Sequence, residues 1–94
     1  MSMLTHSSKA DFAAAAEWVA FNDDYLIERI ESTGRLEAMF ACVDDAVTRL
    51  QSLVSREQSR DSRVLWRTEV HGHHLIVVIT GDSDAVVEVG RLLR

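Results

Sequence analysis

Residues 64–80 read Val-Leu-Trp-Arg-Thr-Glu-Val-His-Gly-His-His-Leu-Ile-Val-Val-Ile-Thr. Two runs rich in β-branched and aromatic residues flank Gly72-His73. This is the pattern of a β-hairpin with a two-residue turn and glycine at its first central position. The turn sets the register: His71 faces His74, Val70 faces Leu75, Thr68 faces Val77 and Trp66 faces Ile79. Side chains alternate along a strand, so one face collects Val64, Trp66, Thr68, Val70, Leu75, Val77 and Ile79. The other mixes Leu65, Ile76 and Val78 with Arg67, Glu69, His71, His74 and Thr80. The second strand is therefore apolar on both faces. A chain this short has helices enough for one face, and the expectation is that a second polypeptide covers the other.

Upstream, Leu36, Phe40, Val43, Val47, Leu50 and Val54 recur at spacings of 4, 3, 4, 3 and 4, with Met39, Cys42, Ala46 and Leu53 beside them. The stripe predicts one long amphipathic helix over 35–58. Ser8 is a candidate N-cap for a helix from Lys9 to Phe21, where Phe12, Ala16 and Val19 fall at helical spacing and Trp18 and Phe21 widen the stripe. Asn22-Asp23-Asp24 reads as a break. Tyr25 to Glu31 reads as a second helix, because its alternation as a strand is poor; a strand stays the alternative. Gly34 is then the residue that ends this helix. Residues 1–8 lack periodicity and are expected to be a disordered tail. After the hairpin, Asp82 or Ser83 caps a short last helix that buries Ala85, Val86, Val89, Leu92 and Leu93. Arg91 and Arg94 suit its negative end. The expected fold is a single α+β domain over 9–94 in the order ααα-ββ-α: two N-terminal helices, a long amphipathic helix, a β-hairpin and a short C-terminal helix.

The 94 residues carry a net charge of −5, which disfavours contact with phosphate backbones. Nine of the ten cationic side chains are arginine, a residue suited to interfacial ion pairs and also favoured by GC-rich codon usage. No apolar run approaches the roughly 20 residues of a membrane helix. The N-terminus lacks a basic start followed by an apolar run, and the lone cysteine fits a reducing compartment, so a cytoplasmic location is expected.

Four groups of residues could carry chemistry. His71, His73 and His74 are metal-ligand types, but their spacing matches no zinc pattern and a solvated turn is expected. Cys42 falls inside the long helix and reads as a small buried hydrophobe. Asp82 and Asp84 read as helix-capping residues. Arg56, Arg60, Arg63 and Arg67 read as a solvated loop; Asp44, Asp45 and the acidic balance oppose a nucleic-acid stripe. There is no glycine-rich phosphate loop, no Ser/His/Asp arrangement and no dinucleotide fingerprint. No enzymatic activity, cofactor or metal is therefore expected.

Ile30-Glu31-Ser32-Thr33-Gly34-Arg35 and the run from Gly72 to Gly90 resemble strand and turn regions of bacterial microcompartment shell proteins. The strand that family needs after its last helix is missing here, so no expectation is carried over.

The expected function is that of a small acidic, non-catalytic regulatory protein of bacterial type. It would bind another protein, such as a transcription regulator or an enzyme, one-for-one as an anti-activator, inhibitor or adaptor, and act as a homodimer. The expected contact residues are Leu65, Arg67, Ile76 and Val78 on the sheet, and Trp18, Phe21 and Tyr25 on the helical side. The alternatives are a small-molecule or metal-binding domain and a winged-helix-like DNA-binding protein, since helices followed by a hairpin match that order.

Overall fold

The computed structural model describes residues 15–43 and 45–94. The expected tail over 1–8, the Ser8 cap, Phe12 and Asp44 lie outside the described residues. The order of elements is α-β-β-α-β-β-α, two successive helix-hairpin units closed by a last helix. Helix α1 covers 15–25, β1 Leu26–Ser32, β2 Arg35–Ala41, α2 Ala46–Arg60, β3 Val64–His71, β4 His74–Gly81 and α3 Ser83–Gly90. The strands form one antiparallel sheet in the order β1-β2-β4-β3.

The α+β class holds, but the order ααα-ββ-α does not. The expected break at 22–24 is absent, and α1 runs on to Tyr25. The Asn22 side-chain amide donates to Leu92 O at 2.6 Å, so this weak helix former is held by the far end of the chain. Phe21 and Tyr25, one turn apart, pack with ring centroids 4.8 Å apart.

The segment after Tyr25 is a strand rather than a helix. Its register with β2 shifts between Leu26 and Glu28, which leaves Ile27 as a bulge residue. The bulge breaks the alternation that would have marked a strand. Ser32 pairs with Arg35 across a Thr33-Gly34 turn in which Gly34 holds φ +70. A left-handed glycine closes a hairpin as readily as it ends a helix.

Arg35–Ala41, expected as the start of the long helix, is the central strand β2. Leu36, Ala38 and Phe40 are fully buried, and Glu37 and Met39 between them face the other side. The helix itself begins at Ala46, and Cys42 sits in the connection before it, half-buried rather than inside a helix.

The β3–β4 register agrees with expectation at every pair from Trp66↔Ile79 to His71↔His74. One face of the sheet and the three helices share a single core. Leu36, Phe40, Val64, Trp66, Leu75, Val77 and Ile79 meet Trp18, Phe21, Leu50, Leu53, Ala85, Val86, Val89 and Leu93. Trp18 stacks on Trp66 with centroids 5.6 Å apart, an arrangement that adds to the large apolar area each ring buries. Beneath the stack, Trp18 Nε1 donates to the buried carboxylate of Glu57 at 3.3 Å. Asp82 caps α3 as expected, accepting from the Asp84 and Ala85 N–H groups.

Candidate interaction surface

All described helices pack on one side of the sheet, which leaves the other side uncovered by them. That open face carries Glu28, Ile30 and Ser32 from β1, and Arg35, Glu37, Met39 and Ala41 from β2. From β4 come His74, Ile76, Val78 and Thr80, and from β3 Leu65, Arg67, Glu69 and His71. Met39, Ile76 and Glu69 stand in one row across three strands; Glu37, Val78 and Arg67 stand in the next.

On this face Leu65 and Ile30 are exposed, at 61% and 56%, and Met39 and Ile76 are half-buried; Val19 and Val87 on the helices and Val70 on the helical face are exposed as well. Val78 departs from expectation. It lies on the open face but is only 7% exposed. Glu37 and Arg67 stand on either side of it, and long charged side chains lay their methylene stems over apolar neighbours. The free apolar surface is therefore narrower than β4 alone suggests. A two-stranded sheet has no such shielding at its centre; β2 supplies it.

The charges on this face are paired along their strands: Arg35 with Glu37 at 3.2 Å and Arg67 with Glu69 at 3.2 Å. His71 Nε2 lies 2.7 Å from Glu69 Oε1. The His71 contact, followed by the nearby Arg67 charge, holds the Glu69 carboxyl below its ordinary value.

Trp18 and Phe21, expected as aromatic anchors on the surface, are buried at 0% exposure. In this fold they are core residues, because the helix that carries them packs its aromatic stripe against Trp66 and Phe40. Tyr25 is half-buried, and its hydroxyl accepts from Arg49 Nη1 at 3.2 Å. The aromatic stripe of α1 and the sheet residues Leu65, Arg67 and Ile76 thus lie on opposite sides of the sheet. Met39 and Ile30 join the open face. Sequence reasoning missed both because their segments read as helix; the signal available was the Thr33-Gly34 turn between two apolar runs.

The remaining candidates resolve locally. His71 and His74 oppose each other at the hairpin tip, and His73 O accepts from the Cys42 N–H at 2.9 Å. Among the described residues no three His, Cys, Asp or Glu side chains gather to hold a metal. Arg56 contacts Glu17 and Glu57, Arg60 contacts Glu57, and Arg63 contacts Asp61 and Glu88. Arginines engaged with carboxylates offer a phosphate little uncompensated charge. A shallow depression of about 580 Å³ on the helical side is lined by Glu57, Arg60, Asp61, Glu88 and Arg91, again of mixed sign. Among the described residues no helix is long and apolar enough to cross a membrane. No family model, curated protein or solved structure matches this chain.

Proposed function

We propose that this protein is a non-catalytic regulatory module, acting as a homodimer, that binds a protein partner one-for-one through the open face of its sheet. The observation that carries the reading is the division of the sheet. One face is closed by the three helices of the described residues, and the other presents Leu65, Ile76, Met39 and Ile30 among ion-paired carboxylates and guanidiniums. Exposed apolar side chains interleaved with ion pairs, Arg35 with Glu37 on the central strand and Arg67 with Glu69 at the edge, make a mixed surface of the kind that non-obligate protein interfaces present. Leu65 and Ile76 fill the partner's surface, and Arg67 at the edge sets its orientation. Burying Leu65 and Ile76 contributes at most about 1.5–3 kcal/mol each.

The test compares the wild-type chain with Ile76→Asp and Leu65→Asp as baits in the host extract, scored by mass spectrometry. A protein retained by the wild type and lost from both variants, each with an unchanged far-UV spectrum, is the expected result. Retention of the same protein by both variants would overturn the reading. Val87→Asp, on the exposed side of α3, is the control that keeps the partner.

A further inference from the structure

Among the described residues, β3 has β4 on one side and no strand on the other. His71 and His74 flank a two-residue turn, so odd-numbered residues of β3 exchange backbone bonds with β4 and even-numbered ones point theirs outward. The geometry at one end agrees. The Trp66 N–H donates to Gln58 Oε1 at 3.0 Å, and Gln58 Nε2 donates to Val64 O at 3.0 Å. Gln58 thus caps the edge at 64–66. Beyond that cap the outward backbone groups of Thr68 and Val70 have no bond to another described residue. The opposite edge, β1, is bulged at Ile27, whereas β3 pairs without interruption over eight residues and carries no proline or lysine to blunt it.

The chemistry of this edge is palindromic about Thr68. In an antiparallel pair centred there, Arg67 stands opposite Glu69 of the second copy on one face, and Glu69 opposite Arg67. On the other face Trp66 stands opposite Val70. Residues that oppose each other in this register also point their backbone groups toward each other, as an antiparallel ladder needs. Val70, left 59% exposed on the helical side of the sheet, gains an aromatic neighbour. Opposite charges, aromatic with β-branched residues, and threonine with threonine are the favourable cross-strand pairs. We propose that two copies of this chain join along β3 about a twofold axis at Thr68, forming one continuous sheet with four strands from each copy. Two bonds link the Thr68 residues, and each Val70 N–H reaches the Trp66 carbonyl of the other copy once the Gln58 side chain swings off the Trp66 N–H and yields its place to the Val70 carbonyl. This assembly specifies the homodimer proposed above and does not use the open face for it.

The test is the mass of the full-length chain in solution by light scattering across a concentration series. The expected result is a dimer of the 10.6 kDa chain. Thr68→Pro deletes only an outward N–H, so it should yield a folded monomer. Arg67→Glu should weaken the dimer at least tenfold, and the double exchange Arg67→Glu with Glu69→Arg should restore it. In a Cys42→Ala background, Thr68→Cys should oxidise to a disulfide-linked dimer, since backbone-bonded opposite residues lie about 5.5 Å apart. Ile76→Asp should leave the mass unchanged, which separates this assembly from partner docking. A wild-type chain that stays monomeric at hundreds of micromolar overturns the proposal. So does a dimer indifferent to charge reversal and to Thr68→Pro, or one cross-linked through Val70→Cys but not Thr68→Cys.

Discussion

Gly81 ends β4 at φ +145, and a Cβ placed on it would stand 2.3 Å from the Arg63 carbonyl oxygen. The same glycine donates its N–H to Gly34 O at 3.2 Å, so β4 and the first hairpin turn close on each other there. Gly81→Ala combines a disfavoured dihedral with a clash against backbone, and is expected to cost more than about 2 kcal/mol. Gly72, at φ +61, has open space around its missing side chain. Gly72→Ala pays only the dihedral and should cost about 1 kcal/mol. Urea melts of the two variants give the comparison, and equal midpoints would contradict it.

Close to Gly81, Asp61 accepts from the Arg63 guanidinium and from the Arg63 N–H, which hold its carboxyl at about 2 against an ordinary 3.8. The folded value is the lower one. The stabilisation is therefore present above pH 3.8 and is lost as pH falls through about 2. A carboxyl NMR titration should place Asp61 below the ordinary aspartate value of 3.8, and Arg63→Ala should return it toward that value.

At the scale of elements, the core rests on how α1 and β3 meet. Trp18→Ala removes the stack on Trp66 and strips the buried Glu57 carboxylate of its indole donor. The expected cost is about 3–5 kcal/mol, visible as loss of near-UV dichroism and a lower urea midpoint. The hairpin β3–β4 was legible because turn chemistry and alternation agree: Gly72-His73 admits one register, and that register sorts apolar from polar. β2 was not legible. Leu36 and Phe40 are two strand steps apart on one face, a separation of four that also fits a helix. Val43 and Val47 then continue the spacing by accident, although Val43 is exposed and the helix starts only at Ala46. Leu, Glu, Ala and Met within β2 are helix formers by propensity; pairing with both β1 and β4 overrides them. β1 was hidden by its bulge, and by Arg29 and Glu31, charged residues at positions of the covered side that a sheet edge tolerates. The open face was therefore legible through β3 and β4 alone. Its β1 and β2 portion, which supplies Ile30 and Met39 and shields Val78, depended on elements that local pattern could not reveal.

At the scale of the whole molecule, the sheet sorts identical chemistry into two roles. Leu65 and Leu75 lie in the same hairpin, on opposite faces; Leu75 is 2% exposed within the core, and Leu65 is 61% exposed on the open side. Leu75→Ala should cost about 2–5 kcal/mol, because it leaves a cavity that the β2 and β4 backbones cannot collapse to fill. Leu65→Ala should stay within about 0.5 kcal/mol of the wild type. Urea denaturation of both variants, at a concentration below that of any dimer, is the measurement. In the proposed docking mode Leu65 is a contact residue, so Leu65→Ala should weaken partner binding while leaving the protomer's urea midpoint in place. Equal costs at the two leucines would mean that both faces belong to the core, and the sheet would then have no side left to offer.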